Sequence, residues 1–112
     1  MKPRIEEMYR ALDTWDTNWI IAHMHEEFVF IDDYDMKTRE ENIEHLLNEV
    51  AEEKITWSRE RITICDNKEM CAYSFVRDVD GVPTKDTHVL LKRDGKFWRH
   101  TIHRQSLEWN MR

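Results

Sequence analysis

The segment MCAYSFVRDVDGVPTKDTHVLLKRDGKFWRHTIHR, residues 70–104, carries the turn signals from which the architecture can be built. It holds two Asp-Gly pairs, Asp80-Gly81 and Asp94-Gly95, each lying between runs rich in β-branched and aromatic residues. A two-residue hairpin turn needs positive φ at both central positions, which Asp-Gly supplies, so the segment reads as three antiparallel strands. Alternation of this kind begins near Ile55. Before that point apolar residues recur at helical spacing, first Ile5, Met8, Tyr9 and Leu12, then Ile43, Leu46, Leu47 and Val50. Helices followed by a meander give an α+β fold, with three N-terminal helices packed on a curved antiparallel sheet and a pocket between the layers.

Local signals place the elements. Pro3 suits the first turn of a helix reaching about Thr14. Asp16 can cap a second helix over residues 17–27, with Ile20, Met24 and Phe28 as one stripe and Trp19 and His23 beside it. Residues 28–33 read as a short strand, and Thr38-Arg39-Glu40-Glu41 has the form of a capping box opening a third helix to about Lys54. With two-residue loops, Val79 pairs with Val82 and Arg93 with Lys96, and alternation then sorts the sheet side chains into two faces. The face expected to meet the helices holds Trp57, Thr63, Ser74, Val76, Thr87, Val89, Trp98, His100, Ile102 and Arg104. The other holds Ile62, Ile64, Tyr73, Phe75, His88, Leu90 and Phe97, too apolar for water, and predicts a homodimer through the sheet. A β-bulge would exchange part of this assignment.

A chain of 112 residues with 40% hydrophobic content is one domain, residues 1–112. No apolar run approaches the roughly 18 residues of a membrane span, and neither a signal peptide nor an anchor is visible, so a cytoplasmic location is expected. Residues 1–56 hold 6 Lys or Arg against 15 Asp or Glu, and residues 57–112 hold 11 against 8. Acids interleave with the bases of the second half and the net charge is −6, which disfavours nucleic acid as a partner. Cys65 and Cys71 flank a tight turn, with their side chains on opposite faces of the sheet, and read as free thiols.

Among candidate chemical groups, the acid cluster Asp32, Asp33 and Asp35 at the end of the first strand suits general acid or base work, since a carboxylate in an apolar cavity has its pKa raised toward neutrality. Alternation puts Asp33 on the side of Val29 and Ile31, from which it could point inward. His100 falls between Trp98 and Ile102 on the helix-facing side, where an imidazole can shuttle a proton or polarise a carbonyl. Thr63, Ser74 and Thr87 share its face and could supply convergent polar groups, while Trp19, Trp57 and Trp98 could wall a cavity with flat rings. The alternative for each is a plain structural role: acids solvating a loop, a core histidine with one hydrogen bond, and tryptophans filling a core. His23 with His25 and His100 with His103 are the histidine pairs nearest metal-ligand spacing, but i and i+2 diverge on a helix, and i and i+3 oppose on a strand, so no metal is expected. Both glycines are committed to turns, which leaves no phosphate loop and no sign of a cofactor.

The order of elements, with Glu27-Phe28-Val29-Phe30-Ile31-Asp32-Asp33 on the first strand, Thr38-Arg39-Glu40-Glu41-Asn42-Ile43 opening the third helix, and Asp94-Gly95-Lys96 before the last strand, resembles the NTF2-like superfamily in its SnoaL-like and ketosteroid-isomerase-like branch. That resemblance implies a cone-shaped domain with a pocket between helices and sheet, and frequent homodimers. It implies no single reaction, because the fold hosts isomerases, cyclases, dehydratases and non-enzymatic binders. It places Asp33 where the isomerases hold their proton-abstracting aspartate. The isomerase oxyanion tyrosine falls nearest Met8, with Tyr9 about 100° around the helix, which argues against steroid isomerisation. The expectation is a SnoaL-like protein that binds a small apolar or aromatic molecule, a cofactor-free lyase or isomerase with Asp33 as base and His100 as partner. The alternative is a non-catalytic ligand-binding or dimerisation module.

Overall fold

The structure is a computed structural model and describes residues 4–32, 35–51 and 60–107. Three helices, α1 (Ile5–Asp13), α2 (Thr17–Ala22) and α3 (Arg39–Ala51), pack on a sheet of six strands: β1 (Met24–Asp32), β2 (Asp35–Thr38), β3 (Ile62–Asp66), β4 (Met70–Val79), β5 (Val82–Arg93) and β6 (Lys96–Ser106). The strand order is β2-β1-β6-β5-β4-β3. No helix among the described residues is long and apolar enough to cross a membrane.

Each helix starts where a side chain satisfies its free N–H groups. The Asp16 carboxylate accepts from the Trp19 N–H at 3.1 Å, and Thr38 and Glu41 close the reciprocal box, each side chain accepting from the other's backbone N–H at 3.4 and 3.0 Å. α1 is capped from a distance: its Ile5 N–H donates to Asp66 of β3 at 3.1 Å. Burial alone would raise the Asp66 pKa, but the hydrogen bonds from Lys92 and Ile5 hold it below the usual carboxylate range.

α2 is shorter than its sequence suggests. It ends at Ala22, and the next residue but one already opens β1. Met24 and Phe28 were expected on a helical stripe to Glu27, yet residues four apart share a face in a strand as well as on a helix, so their spacing does not discriminate. Pairing decides: the Phe97 N–H donates to the His23 carbonyl at 2.8 Å, and Met24 aligns with Phe97 in parallel. The sheet is therefore mixed, not antiparallel throughout, because β1 runs parallel to β6 while β2 adds an antiparallel edge. The expected end of α3 near Lys54, and Trp57 with it, lie outside the described residues.

Both hairpins form as their turns dictate. Asp80 and Gly81 take φ 51° and 84°, Asp94 and Gly95 take 54° and 74°, and Val79↔Val82 and Arg93↔Lys96 are the closing pairs. A Cβ at Gly81 would meet nothing within 4 Å, so glycine is needed there for its backbone angle and not for space. The second hairpin then departs from simple alternation. Lys92 pairs with Phe97 but Leu91 pairs with Arg99, leaving Trp98 as an extra residue on β6.

That bulge corrects the face assignment. Tyr73, Phe75, Leu90 and Phe97 were expected on the outer face, but they belong to the buried core together with Ile5, Met8, Met24, Phe28 and Cys71. Beyond the bulge His100, Ile102 and Arg104 also turn toward the helices, where they pair with Leu90, His88 and Asp86 of the same face. Ser74, Val76, Thr87 and Val89 take the opposite parity and lie on the outer face. So do Ile62, opposite Ser74, and Ile31, opposite Thr101. Cys65 and Cys71 sit opposite Ala72 and Asp66 on different faces, and both are free.

The two faces should differ sharply in their response to truncation. Phe75 is 4% exposed and Ile62 68% exposed. Phe75→Ala should cost about 3–5 kcal/mol in urea unfolding of the dissociated chain, and Ile62→Ala less than about 1 kcal/mol. Equal losses would show that the outer face is as tightly packed as the inner one.

A cavity with a buried histidine pair as the candidate functional site

Between sheet and helices lies a cavity of about 230 Å³. The roof is apolar, made by Met8 and Leu12 of α1 with Trp19 and Ile20 of α2, while Met24 and Phe28 of β1 continue it downward. Along β4, β5 and β6 the inward side chains grade from apolar (Leu90, Phe97) through imidazole (His88, His100) to charged (Arg77, Asp86, Arg104). α3 closes one wall with Asn42, His45, Leu46 and Glu49. A molecule with an apolar body and a polar head would find a matching surface at each end.

The histidines form a pair. His88 Nδ1 and His100 Nε2 are 2.9 Å apart, brought together because the Trp98 bulge sets His100 opposite Leu90 and diagonal to His88. His88 stacks almost parallel to Tyr73 at 4.7 Å and also against Phe75 at 5.3 Å, and Phe30 meets the His100 ring edge-on at 5.0 Å. Burial pushes the His88 pKa down to about 2, reinforced by His100, Arg104 and Arg77. Burial likewise lowers His100 to about 4, against a smaller upward pull from the Asp32 carboxylate. Both rings are therefore neutral near pH 7.

Neutrality fixes what the pair can do. A single hydrogen lies between the rings, so one outer nitrogen is a donor and the other a bare acceptor. Shifting the shared hydrogen, and with it the outer one, exchanges those two ends, which makes the pair a short proton relay as well as a polariser of a carbonyl or hydroxyl. His88 Nε2 is buried without a hydrogen-bond partner among the described residues, and so is Asp86 Oδ1. Arg104 Nε is a third such atom on the cavity lining, and Arg39 Nε, Arg61 Nε and Trp98 Nε1 are unpartnered elsewhere; each costs stability.

Asp86 belongs to a row of charges crossing the floor. Its Oδ2 accepts from Arg77 Nε at 2.7 Å and lies 3.8 Å from Arg104 Nε, while Arg104 reaches on to Asp32 of β1. Opposite charges alternate along Arg77, Asp86, Arg104 and Asp32, so the row keeps its ions paired in a partly dry site.

The residues singled out in the sequence are dispersed. His100 and Trp19 line the cavity. Thr63 is not among the lining residues; its hydroxyl is 2.9 Å from the Tyr9 hydroxyl. Ser74 and Thr87 face outward by strand parity, and Trp98, in the bulge, stacks on the guanidinium groups of Arg99 at 3.9 Å and Arg93 at 5.2 Å. Asp33 lies outside the described residues; Val29 and Ile31, with which alternation grouped it, are on the outer side, and Asp32 lines the cavity. The reading of the sequence missed His88, Asp86, Arg77 and Arg104 as a group, because they come together only when β6 is shifted by one residue. It also missed His45 and Glu49, whose i, i+4 spacing was a visible signal.

No protein-family model and no curated protein matches the chain. Solved structures do. An NTF2-like protein of unknown function from Cytophaga hutchinsonii is 10% identical, over 96% of this chain and 91% of its own, with a TM-score of 0.63. A candidate polyketide cyclase from Silicibacter sp. is 12% identical over 94% and 88%, TM-score 0.67. A candidate ketosteroid isomerase from Kribbella flavida is 11% identical over 90% and 74%, TM-score 0.65. The chain has the NTF2-like fold, and at these identities the likeness is one of fold alone.

The buried pair makes stability depend on pH in a defined sense. Both histidines have folded-state pKa values below the ordinary value of 6.5, so the unfolded chain binds more protons as pH falls. Their contribution is complete above about pH 6.5 and is lost below it, by up to about 1.4 kcal/mol per pH unit for each ring, down to pH 4 for His100 and lower for His88. Urea unfolding between pH 7 and 4 should show this slope, and the His88→Phe, His100→Phe double variant should flatten it. An unchanged slope in that variant would place the pH dependence elsewhere.

Proposed function

We propose that the protein is a SnoaL-like small-molecule protein, a cofactor-free lyase or isomerase acting on a small, largely apolar or aromatic molecule that carries a carbonyl. The observation that supports this most directly is the neutral histidine pair, with an unpartnered nitrogen on His88, at the boundary between the apolar and charged parts of an open cavity. In this reading Asp33, next in sequence to Asp32, removes a proton next to the carbonyl. The neutral His88–His100 pair donates one hydrogen bond to the oxygen as it gains charge, from whichever outer nitrogen carries the hydrogen.

A non-catalytic ligand-binding or dimerisation module is the second reading, supported by the pairing of Asp32 with Arg104, which occupies the one acid of the cluster described inside the cavity. The two separate in a thermal-shift screen of small aromatic ketones followed by assay of turnover. A catalytic protein should keep the ligand-induced shift in Asp33→Asn but lose turnover by 100-fold or more, in line with general-base catalysis. His100→Phe should keep the fold and lose both shift and turnover. Shifts that survive both substitutions, with no turnover in the wild type, would leave the binding module standing.

The reading keeps a homodimer through the sheet, but Tyr73, Phe75, Leu90 and Phe97, on which that expectation rested, lie in the core, and the outer face offers Ile31, Ile62, Ile64, Val76 and Leu91 instead, all exposed. Light scattering at micromolar concentration should give twice the mass of the chain, and Ile62→Asp should reduce it to one. A monomeric wild type would remove the dimer.

A further inference from the structure

Two polar atoms on the cavity floor are left open in a pattern that one class of head group completes. Asp86 and His88 are 3% and 8% exposed, both line the cavity, and Asp86 Oδ1 and His88 Nε2 have no hydrogen-bond partner among the described residues. Arg104 Nε, the third such atom on the lining, belongs to a side chain 30% exposed. The two buried atoms make different demands. Asp86 Oδ1 is a carboxylate oxygen whose twin, Oδ2, already accepts from Arg77 Nε at 2.7 Å, so it takes only a donor. His88 Nε2 adapts: when His100 Nε2 donates to His88 Nδ1 across the 2.9 Å contact, the hydrogen of the His88 ring sits on Nε2. A ligand therefore has to bring a donor for Asp86, and at His88 it finds a donor for its own acceptor.

Charge and spacing narrow the head group further. Asp86 stands between two guanidiniums, with Arg104 Nε 3.8 Å from its Oδ2, and Asp32 balances the second of them. An ammonium head would be set against Arg77 and Arg104, and a carboxylate head against Asp86 and Asp32, so a neutral head loses least. Asp86 and His88 are two residues apart on one face of β5, where side chains start about 7 Å apart. One hydroxyl oxygen bonded to both tips spans less than about 6 Å. A carboxamide carries its donor and its acceptor on separate atoms and reaches further. The apolar part has room as well: a cavity of about 150 Å³ holds benzene, and this one, about 230 Å³ beside Trp19, Phe28 and Phe97, takes two fused rings.

We propose that the cavity binds a neutral aryl carboxamide, a primary amide or a lactam, whose N–H donates to Asp86 Oδ1 and whose carbonyl accepts from His88 Nε2. The inference rests on the small-molecule reading above and specifies the carbonyl in it. Asp86 and His88 act here as binding residues, and no bond is made or broken.

The test is calorimetry with four probes of one shape: naphthalene-2-carboxamide, 2-acetylnaphthalene, 2-naphthoate and 2-naphthol. The wild type should bind the carboxamide about 10-fold or more tighter than the methyl ketone, which leaves Asp86 Oδ1 buried and unpaired, and by a similar margin over the anion and the naphthol. Asp86→Asn should reverse the preference. Its side-chain oxygen stays with Arg77 and its NH2 group faces the ligand, so the ketone should bind at least as tightly as the carboxamide. His88→Phe keeps a ring against Tyr73 and Phe75 and should weaken the carboxamide and the ketone alike, by about 10-fold. Should Asp86→Asn fail to fold, the wild-type series decides alone. Equal affinity of the wild type for carboxamide and ketone, or tighter binding of the naphthol or the naphthoate, overturns the inference and leaves the small-molecule reading standing. Carboxamide binding that both substitutions leave unchanged overturns it too. If none of the four probes binds, the inference falls, and the small-molecule reading is judged separately by the ketone screen described above.

Discussion

One extra residue on the last strand determines which chemistry faces inward. Because Trp98 is left out of the ladder between Lys92↔Phe97 and Leu91↔Arg99, Phe97 and His100, three residues apart, both point at the helices. In a strictly alternating strand they would oppose each other, and a cavity holding Phe97 would have lost His100, Ile102 and Arg104 to the outside. The bulge therefore joins two halves that could not otherwise share a face: the apolar roof that needs Phe97 beneath Trp19, and the polar floor that needs His100 beside His88 and Arg104 beside Asp86. Trp98 itself is fixed on the far side by two stacked arginines, which gives the displaced residue a site of its own.

How much of this was legible follows from where each signal resides. Turns and caps are written in single residues whose conformational needs are local, so the Asp-Gly hairpins, the Asp16 cap and the Thr38 box could be read directly. Register across two hairpins is not local. Closing pairs deduced from the turns were right at Val79↔Val82 and Arg93↔Lys96, yet a single insertion beyond the second turn reversed the parity of β6 relative to β5. The insertion moved His100, Ile102 and Arg104 to the face of Phe97, while the assignment of Tyr73, Phe75, Leu90 and Phe97 to solvent, and the choice of Ser74, Thr87 and Trp98 as pocket residues, failed because the helices pack on the face opposite to the one expected. The parallel pairing of β1 with β6 was hidden for a different reason: it joins segments some 70 residues apart, and Met24 and Phe28 satisfy helical and extended periods alike.

Electrostatics divides the site into groups that are kept neutral and groups that are kept ionised. The two histidines are neutral because aromatic walls on several sides remove the water that would solvate a cation. One row further along the same strands, Arg77, Asp86, Arg104 and Asp32 alternate in sign, so each charge has a counter-charge. This gradient from apolar through neutral polar to ionic runs along the strands. A ligand entering it is oriented before any reaction, its apolar part excluded from the charged end by the cost of breaking that row.

The interior also argues that the cavity is maintained against a considerable bias to fill it. Around a space of about 230 Å³ the lining side chains forgo the contacts that a filled core would give them. Larger side chains at Leu12, Ile20 or Leu90 would recover part of that, and the unpaired atoms of His88 and Asp86 add a further cost that apolar residues of similar size would remove. A domain kept only for its fold or its outer face gains nothing from those atoms. The proposed ligand-binding reading gives those atoms a use, at the meeting point of an apolar roof and a polar floor.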